Sequence, residues 1–146
     1  MKFFTSALFI GALLAFSEAL PKLGKLQSVS IKGKLMCDDK GAESIRIKLY
    51  DVDTLTLDDK MGETTTDSTG SFKIEGSESA IFHIKPKLNI YHKCGDPTMM
   101  CHKKFSIRIP ESYISEGETA EKTFDLGTLN LNGKFSGESR DCVNRR

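Results

Sequence analysis

Four side chains of the right type for metal or nucleophile chemistry fall within one short stretch: His92, Cys94, Cys101 and His102. Two imidazoles and two thiolates satisfy tetrahedral zinc. The spacing matches no standard zinc finger, however, and both ligation and nucleophilic attack need the sulfur as a free thiolate. A second group of candidates is Asp51, Asp53, Asp58 and Asp59, an oxygen-rich run of the kind that binds calcium. Leu55 and Leu57 break the alternation of oxygen ligands that an EF-hand loop requires, so a solvated acidic loop is the expectation. His83 stands on the polar phase of its run beside Lys85, which fits a solvated imidazole. None of these groups implies a cofactor or a bound metal.

The compartment decides what the sulfurs become. Residues 1–19 have the layout of a signal peptide: Lys2 starts it, Phe3 to Phe16 is almost wholly apolar, and Ser17-Glu18-Ala19 supplies small residues for cleavage. The apolar run is shorter than the roughly 20 residues a spanning helix needs, and no second run of that length follows, so no transmembrane segment is expected. The expected product is secreted and extracellular, in conditions that oxidise thiols.

Cys37, Cys94, Cys101 and Cys142 are then expected in two disulfides. Four cysteines allow three pairings, and sequence alone does not choose among them. Gly95, Asp96 and Pro97 can reverse the chain between Cys94 and Cys101, which favours that short pair. Cys37 with Cys142 would be the remaining one, tying the first strand to the C-terminal tail.

The elements that must position these residues are strands. From residue 28 the apolar period is two. Val29, Ile31, Gly33 and Leu35 alternate with Ser30, Lys32 and Lys34; Ile45, Ile47 and Leu49 alternate with Arg46 and Lys48. Phe72 and Ile74 flank Lys73, and Phe105, Ile107 and Ile109 alternate with Ser106 and Arg108. Phe82 and Ile84 precede Pro86, and Leu88 and Ile90 follow it; the proline predicts an edge position, a bulge or a break between strands. Phe124 and Leu126 share one phase while Leu129 and Leu131 share the other, which predicts a bulge at Gly127. Asp38 to Gly41 and Asp67 to Gly70 read as turns, with Gly70 at positive φ. Only Glu111 to Glu118 could hold a helical turn. The pattern predicts one all-β domain, an antiparallel β-sandwich of seven to eight strands over residues 29–142. Residues 20–28 read as a linker and 143–146 as a basic tail. With 21 Lys and Arg against 20 Asp and Glu, the near-neutral charge gives no support to nucleic-acid binding. Arg46, Lys48, Lys85, Lys87 and Arg108 fall on outward phases, which predicts a basic face.

Several stretches together resemble the nematode transthyretin-like family. They are Ile31-Lys32-Gly33-Lys34-Leu35-Met36-Cys37, Ile45-Arg46-Ile47-Lys48-Leu49-Tyr50-Asp51 and Thr66-Asp67-Ser68-Thr69-Gly70-Ser71-Phe72. Leu88 to Cys94, Lys104 to Pro110, Tyr113-Ile114, Asp125-Leu126-Gly127 and the late Cys142 complete the series. The resemblance implies a transthyretin-like sandwich and a secreted protein without enzymatic activity. Hydroxyisourate hydrolases, the catalytic relatives by fold, end in Tyr-Arg-Gly-Ser; this chain ends Val143-Asn144-Arg145-Arg146.

The expected binding site is the loop around the second and third cysteines. Closed by Cys94–Cys101, it would project Met99 and Met100 at its tip, with Lys93, Lys103 and Lys104 at its base. Methionine adapts to irregular partners, and a pre-ordered loop binds at lower entropic cost. An apolar tip in a basic collar suits an acidic patch on a cell-surface receptor or an anionic phospholipid surface. Carriage of a small apolar ligand is the alternative.

Overall fold

The computed structural model describes residues 24–97 and 100–143; the expected signal peptide lies outside them. Ten strands form two sheets: β1 (Lys25–Cys37), β2 (Lys40–Gly41), β3 (Arg46–Asp51), β4 (Asp59–Thr65), β5 (Ser71–Ala80), β6 (Pro86–His92), β7 (His102–Arg108), β8 (Ser115–Glu116), β9 (Thr123–Asn130) and β10 (Ser139–Asp141). Seven of these are long, in line with the periodicity; β2, β8 and β10 have only two or three residues, too few to leave a period in the sequence.

The first sheet is built around β1, which pairs with β2, β5, β8 and β9; the second runs β10-β7-β6-β3-β4. The pairings are antiparallel, apart from β1 with β9, which run parallel. Alternation reports which face a side chain takes and is blind to strand direction, so that exception leaves no trace in the sequence. β1 begins at Lys25, so residues 25–28, expected as linker, belong to the sandwich. Gln27 and Ser28 are buried there although polar, because Gln27 spends its amide on neighbouring backbone.

The inward phases close a core of Val29, Ile31 and Leu35 from β1, Ile47 and Leu49 from β3, Leu88 and Ile90 from β6, and Phe105 from β7. The bulge expected at Gly127 is present: Lys32 faces Asp125 while Lys34 faces Thr128, and Gly127 has φ 76°. Gly70 has φ 82°, and a Cβ there would lie 2.0 Å from the Leu35 carbonyl oxygen. Pro86 opens β6, where a missing N–H costs no ladder bond. The preceding segment is not a strand, and Phe82 points outward while Ile84 is buried. One 3-10 turn, Glu111–Tyr113, occupies the expected helical stretch.

The disulfides are Cys37–Cys94, with Cα atoms 5.9 Å apart, and Cys101–Cys142, at 4.3 Å. The expected pairs Cys94–Cys101 and Cys37–Cys142 are therefore replaced. Cys37 continues the inward phase of Leu35, and Cys94 continues that of Leu88 and Ile90, so the two face each other across the core. Cys101 instead precedes β7 and meets Cys142 just beyond β10, where those strands pair through Asp141 and His102. Nearness in sequence was outweighed by the side of the sheet from which each sulfur projects.

Candidate functional site

Strand directions give the sandwich two unlike ends. One end carries both disulfides. The other gathers the loops after β3 and β5, because Asp51 faces Pro86 in the β3–β6 pairing. Val52 N–H donates to the Lys85 carbonyl at 3.0 Å and Lys85 N–H to Asp51 Oδ1 at 2.8 Å, locking these loops together.

Both loops hold large apolar side chains in water. Leu55 is 92% exposed, Leu57 88%, Ile81 70% and Phe82 83%. Their backbones are tightly tied. Asp53 Oδ1 accepts from Leu55 N–H at 2.9 Å, and Thr56 Oγ1 donates to Asp53 Oδ2 at 2.8 Å. Asp53 N–H donates to Asp58 Oδ1 at 3.2 Å, and Lys87 Nζ binds Asp58 Oδ2 at 2.7 Å. These bonds hold the Asp53 and Asp58 carboxyls below the usual range, Leu55 N–H contributing most at the first and the Lys87 ammonium at the second. The second loop is clamped by the buried Gln27: Nε2 donates to the Phe82 carbonyl at 2.8 Å and Oε1 accepts from Ile84 N–H at 3.0 Å. Four large apolar side chains therefore stand in water on two hydrogen-bonded loops at this end.

The expected acidic loop splits into two roles. Asp53 and Asp58 shape the turn. Asp51 and Asp59 lie on the inward side of the β3–β4 ladder and meet Glu78 of β5, with carboxylate oxygens of all three within 4.8 Å. Burial, with hydrogen bonds to Asp51 and Asp59, pushes the Glu78 carboxyl up to about 8.

The residues expected around the clamped loop are dispersed. Cys94 and Cys101 anchor its two ends to different partners, so no private disulfide closes it. Met100 is 86% exposed, and Met99 lies outside the described residues. Lys93 is half-buried. Lys103 turns into the loop, donating to the Cys94 carbonyl at 3.2 Å and pairing with Asp96 at 3.4 Å, where Arg140 joins at 2.7 Å. Lys104 sits on the outer sheet face, 5.8 Å from the Tyr91 ring centre. Of the expected collar, Lys103 is thus spent on internal contacts. His92 is buried; its Nδ1 accepts from Cys94 N–H at 3.1 Å, its Nε2 has no hydrogen-bond partner among the described residues, and burial lowers its pKa. Both cysteines of the zinc candidate are oxidised.

Of the residues foreseen on a basic face, Arg46, Lys48, Lys87 and Arg108 lie on the outer face of the second sheet, whereas Lys85 precedes β6 and belongs to the loop. Cross-strand pairing sets Arg46 beside Tyr91 and Lys104, Lys48 beside Asn89, and Tyr50 beside Lys87 and Arg108. Sequence reasoning missed the exposed leucines and Phe82. Leu55 and Leu57 lie in an acidic run with no strand pattern, which was a usable signal. Phe82 shares parity with Ile84, and nothing local shows that the segment leaves the sheet.

A disulfide-braced two-sheet sandwich that presents ordered loops from its open end has the architecture of a binding module. Sequence comparison gives the lineage: residues 32–110 match the Transthyretin-like family. The chain is 45% identical to transthyretin-like protein 5 of Caenorhabditis elegans over 132 residues, covering 90% of this chain and 94% of that one. It is 46% identical to transthyretin-like protein 33 of the same organism over 120 residues (82% and 84%), and 41% identical to transthyretin-like protein 1 over 153 residues (99% and 96%). The chain belongs to the transthyretin-like family.

Proposed function

We propose that this chain is a secreted, non-enzymatic binding module that acts at cell surfaces, and that it docks through the loop end carrying Leu55, Leu57, Ile81 and Phe82. The observation that carries this reading is the preformed exposure of those four side chains on hydrogen-bonded loops. Disulfide bracing suits an oxidising exterior, and among the described residues no helix is long and apolar enough to cross a membrane. Loops already held in place lose little entropy on binding, so apolar contact there translates efficiently into affinity. A receptor groove and a phospholipid headgroup layer both accept such a surface. It replaces the Met99–Met100 loop as the favoured contact, because Lys103 is committed to Asp96 and the Cys94 carbonyl.

The test is binding of the tagged mature chain to intact nematode cells, with protease-treated cells and phospholipid vesicles as parallel arms. Leu55→Asp with Phe82→Asp should abolish surface binding while leaving the thermal transition in place, both side chains being in water already. Loss of binding to protease-treated cells assigns a protein receptor, and retained binding to vesicles assigns lipid. Undiminished binding by the folded double variant defeats the proposal.

A further inference from the structure

The two long sides of the sandwich are closed differently. On one, β4 of the second sheet packs against β5 of the first: a Cβ at Gly62 would lie 2.8 Å from the Glu75 carbonyl oxygen, and one at Gly76 2.8 Å from Met61 Cβ. On the other, β9 is bonded to β1 along one edge, and no described strand pairs with its outer edge. The core thins there: Phe124, Leu126 and Leu129 point inward from β9 but are only partly buried. Edge strands are commonly blunted by proline or lysine. β9 reads Thr-Phe-Asp-Leu-Gly-Thr-Leu-Asn, with one charge and neither of those residues.

The bulge gives this edge a symmetry. Thr123 to Asp125 face Ser30 to Lys32 of β1, Thr128 to Asn130 face Lys34 to Met36, and Leu126 and Gly127 share the position opposite Gly33. Asp125 Oδ1 accepts from Gly127 N–H at 2.8 Å and fixes the bulge. Three residues therefore stand on each side of the bulged pair. Read from either end, they point outward, inward, outward: Thr123, Phe124, Asp125 from one end and Asn130, Leu129, Thr128 from the other. An unbulged strand of the same length alternates without interruption, so its reverse has the opposite phase. Opposed residues of an antiparallel pair put their side chains on the same face. Pairing of β9 with a two-fold copy of itself, centred on the bulge, thus keeps both inward faces inward.

We propose that two copies of this chain associate through β9, antiparallel and edge to edge. Thr123 then faces Asn130 of the second copy, Phe124 faces Leu129, and Asp125 faces Thr128. Each row of side chains continues across the two-fold axis. Inside, Ile74, Ile31 and Phe124 run on into Leu129 and Leu35 of the second copy. Outside, Lys73, Lys32 and Asp125 run on into its Thr128, Lys34 and Ser71. Asp125 meets a threonine, whereas parallel association in register would stack it on its own copy. Phe124 and Leu129, partly exposed in one copy, cover each other. A Cβ built at Gly127 meets no atom within 4 Å, so the midpoint, where the two bulges oppose, has room. A strand without a matching bulge would lose phase halfway along, which selects a second copy over an unrelated extended segment. Eight residues make a contact about 26 Å long, a small interface of the weak, reversible kind.

Sedimentation velocity of the mature, oxidised chain over a hundredfold concentration range should show a reversible monomer–dimer equilibrium. Hydrogen exchange at the high end should add protection to amides of residues 123–130 and none to those of β4. Thr128→Asp sets like charges opposite each other at both symmetric positions and should weaken the dimer about tenfold. Within its own sheet position 128 neighbours Lys34, so the fold accommodates the change. Thr128→Lys should strengthen the dimer about threefold. Thr65→Asp adds the same charge to β4, beside Arg46, and should change association less than twofold. Leu55→Asp with Phe82→Asp leaves β9 untouched and should dimerise like the wild type, which separates this interface from the docking loops. A wild-type chain that stays monomeric across the range overturns the proposal. Protection confined to other strands, equal losses from Thr128→Asp and Thr65→Asp, or loss of the dimer in the loop variant would each overturn it as well.

Discussion

Replacing Glu78 with Gln tests the reading of the carboxylate cluster most sharply. Glu78 sits on the inward side of β5, where Asp51 and Asp59 approach it from β3 and β4. Its folded pKa of about 8 stands well above its ordinary 4.5. Between those values the folded chain binds more protons than the unfolded chain, so stability falls as pH rises. The contribution is whole below pH 4.5 and is lost as pH climbs through about 8. At about 1.4 kcal/mol per pH unit the full span has a ceiling near 5 kcal/mol. Solvent reaches the cluster and screens it, which brings the expected effect to about 1–2 kcal/mol. Glu78→Gln keeps the shape and supplies an N–H donor to the two aspartates while removing the third charge. The variant should match the wild type at pH 5 within about 0.5 kcal/mol and exceed it by about 1–2 kcal/mol at pH 8.5. Urea denaturation followed by circular dichroism at the two pH values gives both numbers, and taking the difference between proteins cancels the titrating groups outside the cluster. An identical stability difference at both pH values, or a variant weaker than wild type at pH 8.5, would refute the reasoning.

Three further outcomes are expected. The Cys37–Cys94 and Cys101–Cys142 links span 57 and 41 residues, so their chain-entropy contributions are nearly equal, about 4 kcal/mol each. Burial decides the difference: Cys94 is in the core and Cys142 is exposed, so Cys37→Ala with Cys94→Ala should cost about 1 kcal/mol more than removal of the other pair, measured by urea midpoints. Peptide mapping without reduction should recover those two pairs. Burial lowers the His92 pKa below its ordinary 6.5, so its contribution is present above pH 6.5 and lost as pH falls through the folded value. His92→Asn, which keeps an acceptor for Cys94 N–H, should flatten stability below pH 6.5; an unchanged acid limb would show that other groups set it.

The two-residue period of β1, β3, β6 and β7 settles the fold class and most of the core, because alternation along a strand is a local property that burial imposes on each residue. Gly70 and Gly127 were legible for the same reason: a tight turn and a phase change each leave a residue type at a defined position. The cysteine pairing was half legible. Cys37 shares parity with Leu35, and Cys94 with Ile90, yet the short Gly-Asp-Pro segment between Cys94 and Cys101 was the more visible feature. Which inward sulfurs meet depends on how the two sheets stack, and that information is spread over residues distant in sequence. The clustering of exposed apolar side chains at one end and of cations on the outer face of the second sheet belongs to tertiary structure. Leu55, Phe82, Tyr91 and Lys104 acquire their setting from strands that pair across the chain, and a residue's exposure is a property of its neighbours in space rather than of its own type.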